Sequence, residues 1–398
     1  MDSRFKKIKS LHIESSALCQ AYCVQCPRHA EHNLLVKDNN PNISLKSFNS
    51  RILPHVDIDT RILFCGNFGD PMMNNETAKM AISAKSKVHN VTVNTNGGVG
   101  RPSDYYNMAN AGVQLLIDVE GASQEVNERY RRGVSFNHLL ANIQAACDGY
   151  KDSTENLLVF HVLPWKHTVD DIENIYLLAN KYGASIRLVQ ANGVDSNTAL
   201  TVTDKDRETT IDALEVYDDA NYYEYGMYIH PSSTVYWDNP YLLEDIKNIS
   251  FKKDIGNKNK TETGVLSKGL SRTREYLMQL DADNTFNTHE QSVEISCYSL
   301  NNNELYITHG MIMLPCCWIG LAISGYLDTG KTTRDDQINA MLVSNFLKLN
   351  GEDKFNLNNH TFEEILSSHE FNEYTYNHLS GNKVYKYCEE ICGLKCEL

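Results

Sequence analysis

Cys19-Gln-Ala-Tyr-Cys23-Val-Gln-Cys26 sets three cysteines in a C-x3-C-x2-C spacing, directly after the alternating, strand-like run Ser10-Leu-His-Ile-Glu-Ser-Ser16. Three thiolates on one tight loop can hold a four-iron, four-sulfur cluster and leave one iron without a protein ligand, whereas an ordinary ferredoxin-type cluster takes four cysteines. The vacancy points to a substrate or cofactor that completes the coordination. Zinc is the competing reading of any close cysteine group. No paired C-x2-C or His-x-His element stands beside this loop, where His29 and His32 are the neighbouring candidates.

Working outward, the chain alternates strand and helix. Arg61-Ile-Leu-Phe-Cys65 ends in the turn Gly66-Asn-Phe-Gly69-Asp70-Pro71, and a helical pattern from 75 to 87 follows. Val91-Thr-Val-Asn94-Thr-Asn96-Gly97-Gly98 is a strand and turn, and a helix is expected near 103–111. Next come the strand Gln114-Leu-Leu-Ile-Asp118-Val-Glu120, a helix from 136 to 146, the strand Leu157-Leu-Val-Phe-His161-Val, a helix over 169–182, and the strand Ala184 to Gln190. About six such units in 200 residues imply parallel strands with right-handed crossovers. A partial barrel and a doubly wound sheet both satisfy that pattern, and in either the chemistry gathers at the C-terminal ends of the strands. Residues 204–220 read as one more acidic helix, and 221–283 as a Tyr-, Asn- and Lys-rich connection.

The chain has 398 residues, 41% hydrophobic and 22% charged, which is globular composition with room for two domains. Its formal net charge of -14 argues against a large nucleic-acid surface, since phosphate binding needs dense Lys and Arg. With no apolar run of membrane-spanning length and no signal-peptide pattern, a cytoplasmic protein without a membrane partner is expected. The eleven cysteines cluster near the two ends, which favours metal ligation over a disulfide framework; Cys65 and Cys147, in apolar contexts, read as buried thiols.

The cysteine loop, the Gly66–Pro71 turn, the Asn94–Gly97 turn and the Asp118–Gly121 strand end, in that order, resemble the radical S-adenosylmethionine (SAM) enzymes. The resemblance implies a partial (β/α)6 TIM-like barrel, a SAM-binding 4Fe-4S cluster on Cys19, Cys23 and Cys26, and SAM on its open iron. It implies SAM contacts from Gly69, Asp70 and Pro71, whose turn receives the SAM amino group, and from Asn94, Asn96, Asp118, Glu120 and Arg132, the last within Glu128-Arg-Tyr-Arg131-Arg132-Gly133. This chain has Asp70 where the family's turn more often has Glu, so the side chain is one methylene shorter and the backbone is the safer donor of contacts. For a base or hydrogen donor the candidates are Asp118, Glu120, His161 and the tyrosines of 221–228.

Cys297, the Gly310 to Pro315-Cys316-Cys317 hairpin end, a helix near 361–373 and the closing Cys388, Cys392 and Cys396 are similar to a SPASM or twitch extension. That likeness implies a smaller C-terminal domain with one auxiliary 4Fe-4S cluster, held by Cys297, Cys316, Cys392 and either Cys388 or Cys396. A zinc knuckle is the alternative. The expected division is 1–200 for the barrel, 201–290 for a bridging region and 291–398 for the auxiliary domain. The activity implied is hydrogen-atom abstraction from a peptide or protein, with electrons from a flavodoxin or ferredoxin. A small-molecule oxidase, epimerase or dehydratase acting on a sugar or nucleoside is the second reading, and a non-catalytic iron-sulfur or zinc protein the third.

Overall fold

The computed structural model describes residues 8–23, 26, 41–152, 157–163, 165–188, 303–320, 322–323 and 336–377, and the backbone of short strands between 199 and 252. Eight strands make up a mostly parallel, unclosed α/β sheet. They are β1 (Ser10–Ile13), β2 (Arg61–Phe64), β3 (Asn90–Thr95), β4 (Gln114–Asp118), β5 (Leu158–Val162), β6 (Ser185–Leu188), β7 (Glu304–Ile307) and β8 (Met313–Leu314). The chain divides into two compact units, one of residues 1–18, 30–91 and 266–398, the other of 19–29 and 92–265.

In the first unit β1 is buried along its whole length, as a strand covered on both faces must be. It pairs in parallel with β2, Ser10 opposite Arg61, and on its other edge with β7, Ser10 opposite Glu304. β8 returns antiparallel to β7, so the hairpin read from sequence is present. What periodicity did not disclose is that this C-terminal hairpin extends the main sheet next to its first strand. Helix α1 (Thr77–Lys85) follows β2. Farther on, Phe346, Phe355, Phe371 and Tyr374 pack as rings 5.2–6.1 Å apart, and a capping box of Thr361 and Glu364 starts the helix Phe362–Ser367.

In the second unit each strand pairs in parallel with the next in sequence: Thr95 lies opposite Ile117, Asp118 opposite His161, and His161 opposite Arg187. That steady progression is a barrel's; a doubly wound sheet reverses its order at a switch point. The longest helix described here, α2 (Phe136–Lys151), starts where the Ser135 side chain accepts from His138 N, and buries Phe136, Leu139 and Ile143 on one face. The next long helix, Ile172–Tyr182, stops at Gly183, which takes the left-handed conformation that ends helices.

The acidic helix expected over 204–220 is not formed. Ala199–Asp204 and Arg207–Asp212 instead make an antiparallel pair, and Glu215–Tyr217 pairs with Ser250–Lys252. The β-branched residues Thr201, Val202, Thr203, Thr209, Thr210 and Ile211 explain the preference, because they are stiff in a helix and suited to a pleated surface. Tyr225, Cys297, Cys388, Cys392 and Cys396 lie outside the described residues. Among the described residues no helix is long and apolar enough to cross a membrane.

Candidate functional site

In the second unit the cysteine loop is strapped to the turn around residue 132. Tyr22 N donates to Arg132 O at 2.7 Å and Arg132 Nε donates to Tyr22 O at 3.1 Å. Gly133, at φ +80°, completes the strap; a Cβ there would sit 3.0 Å from Gln20 O in a conformation L side chains rarely adopt. Cys23 is buried in a cluster with Ala21, Tyr130, Val134 and Trp165, against which Cys19 and Cys26 also pack. None of the three forms a disulfide among the described residues.

N–H donors reach two of the sulfurs. Ala21 N lies 3.4 Å and Asn96 Nδ2 3.7 Å from Cys19 Sγ, and Arg131 Nη1 lies 3.6 Å from Cys23 Sγ. Burial pushes the Cys23 thiol up to about 12, against the pull of Arg131. A metal ion would supply the compensation that burial withholds. The indole Nε1 of Trp165, in a residue only 1% exposed, has no hydrogen-bond partner among the described residues. An orphaned donor amid three cysteines fits an acceptor-rich iron-sulfur group, and zinc bound by the same thiolates would accept no better than they do. Among the described residues, no three His, Cys, Asp or Glu side chains are already closed around one ion position.

Asn96, expected to touch SAM, here supports the loop: its Oδ1 accepts from Gln20 Nε2 at 2.7 Å and from Gly98 N at 2.9 Å. The turn is fixed by Gly97, at φ +69°, whose carbonyl accepts from Asn142 Nδ2 at 2.7 Å. Asn94, one pleat earlier on β3, pairs with Leu116.

The strand ends that follow carry a dense charge network. Arg131 donates through Nε to Glu120 Oε2 at 2.6 Å and through Nη2 to Glu120 Oε1 at 3.0 Å, and Nη2 also stands 3.1 Å from Asp118 Oδ2. His161 Nδ1 lies 2.8 Å from Asp118 Oδ1. Burial alone would raise the Asp118 carboxyl, but Arg131 and His161 outweigh it and hold it below the usual carboxylate range. Burial raises Glu120, and Arg131 only partly offsets this. The arginine that reaches both carboxylates is therefore Arg131, while Arg132, the expected SAM partner, bonds the cysteine loop. Sequence alone does not separate the neighbours, because only their phase in the short turn decides which one faces β4.

In the first unit the Gly66–Pro71 loop lies against the end of β1. A Cβ on Gly69 would come 1.8 Å from Ser16 O, so only glycine fits, and Asp70 N donates to Leu18 O at 2.7 Å. The Asp70 carboxylate is occupied locally: it accepts from Met72 N at 2.9 Å and caps the single turn Pro71–Met73. Thr77 Oγ1 donates to Pro71 O at 2.6 Å. The residue that sequence reading missed is Glu14, fully buried, whose carboxylate accepts from Phe68 N at 2.8 Å. The available signal was an acid directly after a short strand and five residues before the first cysteine.

Of the proposed auxiliary ligands Cys316 alone is described; its Sγ accepts from Ile319 N at 3.5 Å. Its neighbour Cys317 has its thiol driven well up by burial, and Asn67 Nδ2 donates to the Cys317 carbonyl at 2.8 Å. Cys65 is half-buried, and its carbonyl faces His12 Nε2 at 2.7 Å.

Residues 13–179 match the family model of the Radical SAM superfamily, a stretch that runs from β1 through the cysteine loop and the charge network. No curated protein matches the chain. Among solved structures, native anSMEcpe with bound AdoMet is similar at 13% identity, over 92% of this chain and 82% of that one, with a TM-score of 0.44. Streptococcus suis SuiB bound to S-adenosylmethionine is similar at 11% identity, over 92% and 71%, with a TM-score of 0.40. SuiB bound to precursor peptide SuiA is similar at 11% identity, over 85% and 65%, with a TM-score of 0.41. Likeness this loose carries no weight for substrate or mechanism.

Proposed function

We propose that this chain is a radical SAM enzyme that removes a hydrogen atom from a peptide or protein. The observation that carries the reading is the cysteine loop within a Radical SAM family match, its thiols gathered in one pocket with N–H groups trained on their sulfurs. When bound, a 4Fe-4S cluster on Cys19, Cys23 and Cys26 supplies the electron that splits SAM into methionine and a 5′-deoxyadenosyl radical.

The chain's own residues bind, orient and exclude water. Tyr130, Val134 and Trp165 close an apolar wall behind Cys23. Arg131 fixes Asp118 and Glu120, and with both Glu120 oxygens held by the guanidinium that residue is committed to structure. His161 remains as the proton acceptor: with Nδ1 on Asp118, its Nε2 is the atom positioned to exchange a proton. Peptide as the substrate class rests on the C-terminal cysteine pattern, with an auxiliary cluster on Cys297, Cys316, Cys392 and either Cys388 or Cys396, and a flavodoxin or ferredoxin as electron donor.

Anaerobic reconstitution with iron, sulfide, SAM and dithionite tests the class. Release of 5′-deoxyadenosine that disappears in Cys23→Ala is the expected result; zinc in the purified protein and no release would overturn it. If release is stimulated by a sugar or nucleoside and by no peptide, the small-molecule reading replaces the peptide one.

A further inference from the structure

Glu14, immediately after β1, divides its two oxygens between distant parts of the chain. Oε1 accepts from Phe68 N at 2.8 Å and from Gly69 N at 3.4 Å, successive amides of the Gly66–Pro71 loop. Oε2 accepts from Tyr306 Oη at 2.7 Å, and His309 Nδ1 stands 3.9 Å from the same atom. Tyr306 lies on β7, its ring edge-on to His12 at 4.9 Å, and Glu14 N donates to Ile307 O at 2.9 Å. One residue thus meets the loop through its carboxylate and the C-terminal strand through both its backbone and its carboxylate.

The peptide geometry gives the contact a direction. In a trans peptide the N–H and the preceding C=O point opposite ways, and the chain contains no cis bond among the described residues. With the amides of Phe68 and Gly69 turned toward Glu14, the carbonyls of Asn67 and Phe68 are turned away from it. A row of carbonyl oxygens suits an ammonium donor, and Asp70, spent on capping Met72, is poorly free to replace them. Burial would by itself raise the Glu14 carboxyl; His309, Tyr306 and Phe68 N–H outweigh it and keep the group ionised. Ionised, it accepts on both oxygens from three donors, Phe68 N, Gly69 N and Tyr306 Oη, which a neutral amide with one acceptor oxygen could not do.

We propose that Glu14 is a positioning residue for SAM: it sets the carbonyls of the 66–69 loop toward the methionyl ammonium, and Tyr306 and His309 hold it there, so that SAM affinity depends on the C-terminal segment. The inference rests on the reading of this loop as the receiver of the SAM amine.

The test measures anaerobic binding to the reconstituted full chain of SAM and of an analogue that lacks the methionyl amino group. The variants are Glu14→Gln and Tyr306→Phe, with iron content and melting temperature recorded for each. Wild type should prefer SAM. Glu14→Gln should lose roughly tenfold in SAM affinity, the worth of a hydrogen bond to a charged group, with little change for the analogue. Tyr306→Phe should shift the same preference by a smaller factor. A general packing role would weaken both ligands alike, and that result, or an unchanged preference, overturns the proposal. If wild type itself shows no preference, the loop's assignment fails and this link with it. If Glu14→Gln does not fold, Tyr306→Phe decides: a reduced preference supports the link and a retained one overturns it.

Discussion

Asp118 and Glu120 in the second unit share one guanidinium, that of Arg131, whereas Glu14 in the first is met by two backbone amides, a phenol and an imidazole. All three acids are buried. In one case a single guanidinium serves both acids, with His161 beside Asp118, and in the other the charge is met by groups from separate segments. The first arrangement should therefore lose most when the cation that serves both acids is removed, even though His161 stays on Asp118, and the second should lose by increments. The arrangement with a shared cation stands next to the cysteines; the distributed one holds a loop.

Replacing Arg131 with Met is the strongest way to break this contrast. It strips the guanidinium from both oxygens of buried Glu120 and leaves buried Asp118 with His161, a class of change that costs about 3–5 kcal/mol. Urea unfolding of the unloaded chain should show that loss. A cost under about 1 kcal/mol, the worth of an exposed pair, would mean that the network is solvated and the contrast false. Arg131→Lys should recover only part of it, since a point charge cannot reproduce the bidentate geometry on Glu120.

Glu14→Gln should cost less, about 1.5–3 kcal/mol, because the amide oxygen still accepts from one side while the other side loses its acceptor. If this variant proves less stable than Arg131→Met, the distributed arrangement is the more brittle and the comparison reverses. Tyr306→Phe removes a single donor and should cost about 1 kcal/mol, read as a shift of the urea midpoint at constant slope.

How much of this could be read beforehand follows from the sequence distance of each interaction. The cysteine loop and the turns after β2 and β3 are local, and the alternation of apolar strands with helices around them is periodic, so both were legible. The choice between Arg131 and Arg132 was not, since it depends on the phase of one turn against β4. Glu14 was less legible still. Its partners are 54 and 292 positions away, and nothing near it in sequence announces them. The same holds for β7, whose place beside β1 is set by a return of the chain from residue 304. Residues 204–220 misled for another reason: acidic residues every few positions imitate a helix face, while the β-branched residues between them decide for strands.

The smallest effect is the most discriminating, because it reads the two arrangements by pH. Asp118 and Glu14 are held below the ordinary carboxylate range, so their stabilisation is fully present above the unfolded value near ~4 and is lost as pH falls through the folded value. Glu120 is raised, and its contribution runs the other way: present in acid and lost as pH rises through its folded value. In Glu14→Gln the stability difference from wild type should therefore stay constant across neutral pH and shrink only below about pH 4, where wild type protonates Glu14 and forfeits the same contacts. In Arg131→Met the stranded Glu120 takes up a proton more readily than a free carboxylate, since burial now acts without the guanidinium that offset it. That difference should begin to close at higher pH, above the ordinary carboxylate range. Urea midpoints measured in steps from neutral pH into acid would separate the curves. Coincident curves would show that the guanidinium and the dipole set protect their acids equally, and that position in the chain, rather than the chemistry of the partner, distinguishes the two regions.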